Sequence, residues 1–528
     1  MSAPGPEAAS GPAVDPGKLF ALVRAARVGG AFWRVPAGPA PARSAVFAPR
    51  DADQRRAMLA EESGREPRGL DGGPPDPGPV ARPADPWSLL EGDVVVLADA
   101  DHEIAALATI AGAPVRLFGE GRFGRGGRVD VAAVVRALVG DVAYRDPFTG
   151  TAATIEEAVA VLADWRASIR DNHRIAAMVG IARWKRREVA RMTWAPRDRP
   201  LRFHADAARA VDAARGAGAV AVWPSREPAA LRARARAAGV AVTTVEDGFI
   251  RSVGLGSGLH PPYSLAVDES GVHYDPGLAS DLERLLETTD PTPALLARAA
   301  ALRRAIVAGG VAKYGGGARA PLPPRLGDRR LVLVPGQVGD DLSVRLGGVG
   351  VDGNLDLLAR ARAREPDAEI WYRPHPDVDA GHRRGAVSDS AALGYADRVV
   401  RGQGMPDLLA QVDGVHVLTS LTGFEALLRG RDVTTHGLPF FAGWGLTRDL
   451  GAAPPRRTRR LSLDALVAGT LIRYPRYLDP VTGLPCSVER LVDRVRAAPV
   501  PGWSLATWLR AAQGRAVGAI AARRLARG

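Results

Sequence analysis

The chain has 528 residues, more than one hydrophobic core usually supports, which predicts two to four domains. Its single cysteine, Cys486, excludes a disulfide framework and is typical of the cytoplasm. The net charge of +12 suits acidic nucleotide-sugars and anionic lipid headgroups, and no nucleic-acid recognition motif accompanies it, so no nucleic acid is expected. No apolar run reaches membrane-spanning length and no signal-peptide pattern opens the chain, so we expect a soluble or peripheral protein.

The N-terminal third of the chain has a mixed pattern. Residues 1–86 are predicted to form a partly disordered region, because Pro, Gly and Ala are frequent at 1–17 and again at 62–86. From residue 87 onward strand and helix patterns alternate, as in the helix predicted over Glu103–Ala111. Residues 87–195 are therefore interpreted as a partial α/β repeat followed by a helical connector.

This partial repeat has a counterpart near the C terminus. The stretch YRDPFTG at 144–150 aligns with YLDPVTG at 477–483, and each leads into an amphipathic helix. A second match, in the same order, aligns GAPV at 112–115 with GRDV at 430–433. In the register of that second match, the polar residues Ser420, Thr422 and Glu425 fall opposite His102, Ile104 and Leu107. The first copy is therefore interpreted as degenerate, because it keeps the turn and lacks the polar groups.

One complete module is predicted after the connector. Its first half, at 196–320, is interpreted as an acceptor-side Rossmann-like half, and its second half, at 321–498, as a nucleotide-sugar-binding one. The fold class is α/β and GT-B-like: two Rossmann-like halves with an interdomain cleft, preceded by a partial α/β repeat. The basic amphipathic tail at 499–528 is expected to lie on an anionic membrane, with a solvated packing helix as the alternative.

Adjacent carboxylates follow a predicted strand of the first half, in the stretch VEDGFIRS at 245–252. The side chains of Glu246 and Asp247 point in opposite directions if the chain is extended, so one of them can face the cleft while the other braces the loop. Arg251 and Ser252 close this stretch. A turn with a structural Arg–Asp pair is the alternative interpretation.

A second strand-end loop, VPGQVGDDLS at 334–343, belongs to the second half. Its glycines let backbone amides approach a ligand, and Asp340 and Asp341 offer a nucleophile or a base. Because Asp and Ser are common at helix starts, a helix cap is the alternative.

Two further motifs are typical of a phosphate site. Arg373 and His375 supply donors in a turn that two prolines stiffen, although His375 could also be an ordinary surface residue. Ser420 and Thr422 precede or begin a predicted helix, whose first amides favour phosphate, and Glu425 could accept from ribose hydroxyls. Helix capping is again the alternative. No Cys/His spacing of a metal site and no Walker loop occurs, so no metal ligand is predicted.

The ordered set of these motifs closely resembles the capsule polysaccharide biosynthesis family, and within it the retaining β-Kdo transferases. The motifs are EDGFIRSVGLG (246–256), QVGDDLS (337–343), RPHP (373–376), SLTGFE (420–425) and GWG (443–445). The resemblance covers about 200–495 strongly and 90–192 weakly. Related proteins carry two such modules in tandem, whereas this chain has one complete module and a truncated copy, which implies a single type of linkage.

The resemblance also implies roles for the residues. Asp341 would be the nucleophile of a double displacement, and Glu246 or Asp247 the acid/base. The donor-binding residues would be Gln337, Arg373, His375, Ser420, Thr422 and Glu425, and the further cleft residues Arg251, Ser252 and Asp340.

The partners follow from the same resemblance. The donor would be CMP-Kdo, with no other cofactor and no metal. The acceptor would be a lipid-linked, Kdo-bearing glycan at the cytoplasmic face of the inner membrane, where an anionic surface and other capsule biosynthesis or export proteins are expected. One alternative is a GT-B transferase that uses another nucleotide-activated sugar. The other is a non-catalytic partner in capsule assembly or export.

Overall fold

The computed structural model of the chain describes residues 15–62, 64–69, 84–140, 142–196, 201–250, 252–253, 261–311, 314–315, 320–381 and 383–497. The chain divides into two units. The N-terminal unit comprises Met1–His173 with Trp194–Asp198, and the C-terminal unit comprises Arg174–Thr193 with Arg199–Gly528. The predicted tail at 499–528, Arg251 and the side chain of Ser252 lie outside the described residues.

The N-terminal unit contains a four-stranded parallel sheet in the order β2-β1-β3-β4. Its elements are α1 (Pro16–Ala26), β1 (Ser44–Ala48), α2 (Ala52–Glu61), β2 (Glu66–Gly69), α3 (Pro86–Leu89), β3 (Val94–Asp99), α4 (Glu103–Ala111), β4 (Val115–Phe118), β5 (Gly124–Arg125), β6 (Arg128–Val129), α5 (Val131–Val135), a π-helical turn (Arg136–Gly140) and α6 (Ile155–Asn172).

The predicted boundary at residue 87 is wrong, because it cuts through this sheet. Strand β1 lies in the region predicted to be partly disordered, yet all five of its residues are buried and it pairs with β3. Strand β2, with the sequence EPRG, lies in the stretch predicted to be a loop. It has no apolar alternation, and its proline is tolerated because β2 is an edge strand.

The first half of the C-terminal unit has a seven-stranded mixed sheet in the order β21-β20-β12-β10-β9-β7-β8. Its elements up to residue 315 are β7 (Ile175–Val179), α7 (Arg186–Met192), β8 (Arg202–His204), α8 (Ala207–Ala214), β9 (Ala219–Val222), α9 (Leu231–Ala237), β10 (Val242–Asp247), β11 (Ser252–Val253), β12 (Ser264–Asp268), α10 (Asp281–Thr288), α11 (Pro293–Ala308) and β13 (Tyr314–Gly315). Strand β7 falls inside the predicted helical connector, so this half begins earlier than residue 196. Its residues are mostly buried, and it pairs with both β8 and β9.

The second half is a six-stranded, fully parallel sheet in the order β16-β15-β14-β17-β18-β19. Its elements are β14 (Leu331–Pro335), α12 (Leu342–Gly347), α13 (Gly353–Arg364), β15 (Glu369–Arg373), α14 (Pro376–Asp379), α15 (Asp389–Leu393), β16 (Arg398–Val399), α16 (Met405–Gln411), β17 (Gly414–Val417), α17 (Leu421–Leu428), β18 (Asp432–Thr435) and β19 (Arg448–Asp449). Numbered within this half, the strand order is 3-2-1-4-5-6, that of dinucleotide-binding folds.

The chain then returns to the first half. The last elements are α18 (Leu463–Val467), a π-helical turn (Ala468–Arg473), β20 (Pro475–Leu478), β21 (Pro485–Cys486) and α19 (Val488–Ala497). Because β20 pairs antiparallel with β12, the second half does not extend to residue 498 as predicted. The two halves share one buried apolar cluster, to which the first half contributes Phe249 and Ile250 and the second Phe424 and Phe440. The C-terminal unit thus has the predicted GT-B-like pair of Rossmann-like halves.

The two aligned stretches of the sequence have the same hydrogen bonds. The Tyr144 hydroxyl donates to Leu138 O at 2.8 Å, and the Tyr477 hydroxyl donates to Leu471 O at 2.6 Å, in each case across a π-helical turn. In each Asp-Pro-x-Thr-Gly turn, the Gly N–H bonds the Asp carbonyl at 2.8 Å. Such a match in both sequence and hydrogen bonding is what a duplication predicts.

Candidate functional site

The carboxyl ends of β14 and β17 lie side by side, where the strand order of the second half changes direction. In open α/β sheets this switch point is where ligands bind. The Gln337 side chain joins the two strand ends: its Nε2 donates to Thr419 Oγ1 at 2.9 Å, and its Oε1 accepts from Thr419 N at 2.9 Å. Buried Asn354 accepts from Gln337 N and donates to Gln337 O, both at 2.8 Å. The amide of Gln337, predicted to bind the donor, therefore braces the loops of the site.

Asp341 is the N-cap of α12, at the end of the loop that follows β14. Its Oδ1 accepts from Ser343 N at 2.9 Å and from Ser343 Oγ at 2.7 Å, which is the cap that the sequence offered as the alternative. Within the described part of the chain, no protein group donates to its Oδ2, so that oxygen remains available for chemistry. Capping holds the carboxylate in place and does not conflict with a catalytic role. Asp340, in contrast, forms an exposed ion pair with Arg383 at 3.1 Å.

The two adjacent carboxylates at the end of β10 have different partners. Both oxygens of Asp247 lie 3.0 Å from Lys185 Nζ, and that ammonium lies 3.6 Å from the centroid of the Trp223 ring. Glu246 points the other way: its Oε1 accepts from Asp247 N at 2.9 Å and its Oε2 from the Tyr274 hydroxyl at 3.5 Å. Asp247 therefore braces the strand end through a largely buried ion pair, and Glu246 is the carboxylate that meets Tyr274.

Tyr274 connects the carboxylates of the two halves. Burial raises the pKa of its phenol well above 10, and the negative charges of Glu246 and Asp341 raise it further. Its phenol contacts Glu246 of the first half directly, and its charge state is influenced by Asp341 of the second half. Sequence reasoning missed Tyr274 and Lys185, since neither belongs to a recognisable motif.

Arg373 is the last residue of β15, the strand that neighbours β14, and His375 follows it in the next turn. Arg373 Nη2 donates to Gln403 O at 3.2 Å, while its buried Nε has no hydrogen-bond partner among the described residues. Burial lowers the pKa of Arg373, and nearby Glu425 opposes this shift. His375 caps α14 with Nδ1, which accepts from Asp377 N at 3.1 Å, so in the neutral ring the proton is on Nε2.

Ser420 caps α17, and its Oγ accepts from Thr422 N at 3.2 Å and donates to Thr422 Oγ1 at 3.1 Å. Glu425, one turn further along, is only 7% exposed and its charge acts on both Arg373 and Arg429. The charge of Glu425 thus acts on Arg373, at the end of β15, from the helix whose start carries the hydroxyls of Ser420 and Thr422. This is a cationic and hydroxyl-bearing surface of the kind that binds a phosphate.

Neither a metal-binding cluster nor a membrane-spanning helix occurs among the described residues. Across the ranges given above, no group of three or more His, Cys, Asp or Glu side chains is arranged to hold a metal ion. Over the same ranges, no helix combines the length and the apolar character needed to cross a bilayer.

The sequence of this chain is similar to those of known proteins. Residues 218–308 and 322–477 match the family model described as capsule polysaccharide biosynthesis protein. The capsule polysaccharide modification protein LipA of Neisseria meningitidis serogroup B is 39% identical over 354 residues, which are 66% of this chain and 49% of LipA. The lipopolysaccharide-processing protein LpsZ of Rhizobium meliloti is 41% identical over 275 residues, which are 51% of this chain and 62% of LpsZ. The chain thus spans about half the length of LipA.

A solved structure is also similar. The β-Kdo 2,4 transferase of Thermosulfurimonas dismutans KpsC is 31% identical, with a TM-score of 0.53, over 61% of this chain and 98% of that one. The matched family model includes the strand ends that carry Glu246, Asp341, Arg373 and Ser420. On sequence and fold together, this chain belongs to the capsule polysaccharide biosynthesis family.

Proposed function

We propose that this protein is a retaining glycosyltransferase that transfers Kdo from CMP-Kdo to a lipid-linked, Kdo-bearing acceptor. The observation that carries the proposal is the place of Tyr274: its phenol lies 3.5 Å from Glu246 of the first half, and its backbone lies beside the last residue of α12, the helix of the second half that Asp341 caps. Two carboxylates on either side of a reacting sugar are the arrangement that double displacement requires. The similarity to a β-Kdo transferase supports the choice of sugar.

In the first step, an oxygen of Asp341 would attack the anomeric carbon of the donor. The new C–O bond forms as the bond to the CMP phosphate breaks, and the leaving phosphate takes the bonding electrons. Arg373 and His375 would stabilise this charge, together with the hydroxyls of Ser420 and Thr422. Glu425 would then be the acceptor for the ribose hydroxyls.

In the second step, Glu246 would take the proton of an acceptor hydroxyl, whose oxygen displaces Asp341 from the sugar. Two inversions at one carbon give net retention. Of the two carboxylates left open by the sequence, we assign this role to Glu246, because Asp247 is held by Lys185.

The remaining parts of the proposal concern partners and location. A lipid-linked acceptor would bring the protein to the cytoplasmic face of the inner membrane, near other capsule biosynthesis or export proteins. Because cationic and hydroxyl donors surround the phosphate position, we expect transfer to need no divalent metal and to be unchanged by EDTA.

The test is a donor panel. The purified protein is incubated with a synthetic Kdo-terminated glycolipid and, separately, CMP-Kdo, other CMP-activated keto-sugars and UDP-sugars, and the products are weighed by mass spectrometry. We expect one Kdo to be added from CMP-Kdo. Transfer from another donor alone would contradict the proposed sugar, and no transfer from any donor would favour a non-catalytic role in capsule assembly.

A further inference from the structure

Neither step of the proposed transfer uses Tyr274. We propose that Tyr274 is the positioning residue of Glu246, whose carboxylate it holds ionised and oriented through a hydrogen bond from its phenol. The inference rests on the proposed transferase function and deepens it, because it identifies what makes Glu246 ready to accept a proton.

Glu246 is held from two sides. Its Oε1 accepts from Asp247 N at 2.9 Å, and Asp247 is itself fixed by the ammonium of Lys185. The other oxygen, Oε2, lies 3.5 Å from the Tyr274 hydroxyl, the outer limit of a hydrogen bond. The backbone contact holds one oxygen, and the phenol contacts the other.

The loop that carries Tyr274 is well anchored. Asp268, buried at the end of β12, accepts through Oδ1 from Ser270 N at 3.0 Å and from Gly271 N at 2.8 Å. Its Oδ2 accepts from Asp281 N at 2.9 Å, at the far end of the same loop. One buried carboxylate therefore ties both ends of the segment, and the phenol is presented from a fixed backbone.

The same loop reaches the second half. A Cβ built on Gly347, the last residue of α12, would stand 3.7 Å from Tyr274 O, within van der Waals distance. Asp341 caps the other end of this short helix. The backbone of Tyr274 thus lies against the C-terminal end of the helix that Asp341 caps.

Several charged or titratable groups surround the phenol. They are Glu246, Asp341, Asp275, His273 and Tyr474. Burial first, and then the carboxylates, raise the pKa of Tyr274 well above 10, so the phenol keeps its proton at neutral pH. It can therefore donate to Glu246 and is a poor nucleophile.

The test compares two Tyr→Phe variants. Donation to a carboxylate favours its ionised form, so Tyr274→Phe should make Glu246 harder to ionise. We expect the acid limb of kcat/KM for the acceptor to move up by about one pH unit. The matched control is Tyr477→Phe, which removes a buried hydroxyl bonded to Leu471 O at 2.6 Å, and its acid limb should not move.

The outcomes separate the two proposals. Wild-type protein that transfers no sugar would contradict the proposed function itself. A transferring wild type whose Tyr274→Phe variant loses rate with an unmoved acid limb would overturn only the role of Tyr274. If that variant does not fold, 3-fluorotyrosine at position 274 replaces it: as a stronger donor it should move the limb to lower pH, and an unmoved limb would overturn the proposal.

Discussion

The turn after β3 and the turn after β17 have the same construction in two units of one chain. His102 caps α4, with Nδ1 accepting from Ile104 N at 3.2 Å, and Ser420 caps α17, with Oγ accepting from Thr422 N at the same distance of 3.2 Å. Each turn joins a buried strand of a parallel sheet to a helix. The backbone alone therefore does not distinguish the two turns.

The side chains behind the caps do distinguish them. Ile104 and Leu107 pack in the apolar core of the N-terminal unit. Their counterparts in the C-terminal unit are the polar residues Thr422 and Glu425. The turn forms with leucine at position 107, so it does not need a carboxylate at the equivalent position 425. Burying the carboxylate of Glu425 costs free energy unless nearby positive charges compensate it. Glu425 has Arg373 and Arg429 nearby. The turn therefore forms without the polar side chains of Thr422 and Glu425, which favours a role for these side chains in binding a ligand.

The largest expected effect tests whether the C-terminal unit carries the chemistry. Asparagine caps a helix about as well as aspartate, so Asp341→Asn should keep α12 and remove the nucleophile. We expect transfer to fall by about 1,000-fold or more, with an unchanged melting temperature. Product formation and thermal unfolding are measured on the same preparation. Transfer within tenfold of wild type would show that Asp341 is only a cap.

The next effect concerns stability and a histidine pair. His416 Nδ1 lies 3.0 Å from His436 Nε2, both rings are buried, and burial is the main cause that lowers the pKa of each to about 4. The unfolded chain takes up protons below about pH 6.5 and the folded unit does not. The contribution of the two rings to the free energy of unfolding should therefore be fully present above pH 6.5. It should decrease as the pH falls toward 4, by roughly 3 kcal/mol for each ring.

Urea denaturation at pH 7.5, 6 and 5 measures this loss. The N-terminal unit offers the comparison, because its turn has the single, partly buried His102, whose pKa burial also lowers. We expect a steeper loss for the C-terminal unit, and His436→Gln should flatten it. An equal slope in both units would contradict the role of the pair.

The smallest expected effect uses the two caps as a matched pair. Ser420→Ala and His102→Ala each remove one side-chain cap, so each should lower the free energy of unfolding by about 1 kcal/mol or less. Only Ser420→Ala should lower kcat/KM for the donor, by about tenfold, because only that turn is proposed to bind phosphate. Equal loss of activity in both variants would end the distinction between the turns.

The fold could be predicted where it depends on local sequence patterns. Alternating strands and helices indicated the two halves, and the repeat was visible in seven consecutive letters. The pairing of β20 with β12 was not predictable, because it joins segments about 200 residues apart and no local pattern encodes such a partner. Strand β2 was missed for a different reason: an edge strand of four residues has no apolar periodicity.

The site was predictable to a similar depth. Motifs indicated Glu246, Asp341, Arg373 and Ser420 as candidates. The ion pair that distinguishes Asp247 from Glu246 was not predictable, because Lys185 lies 62 residues from Asp247 in the sequence. Lys185 lies in the basic stretch RWKRR at 183–187. In a chain so rich in arginine, one basic residue of such a stretch does not indicate which carboxylate it will pair with. Tyr274 likewise meets Glu246 only after the chain folds back through β12.

The most direct measurement locates the sugar on the enzyme. Glu246→Gln should allow the first displacement and block the second, so the glycosyl-enzyme should accumulate when this variant is incubated with CMP-Kdo. Peptide mapping by mass spectrometry should find Kdo on Asp341 and none on the N-terminal unit. Kdo on another residue, or wild-type turnover that inverts the anomeric configuration with no adduct in the variant, would contradict the account.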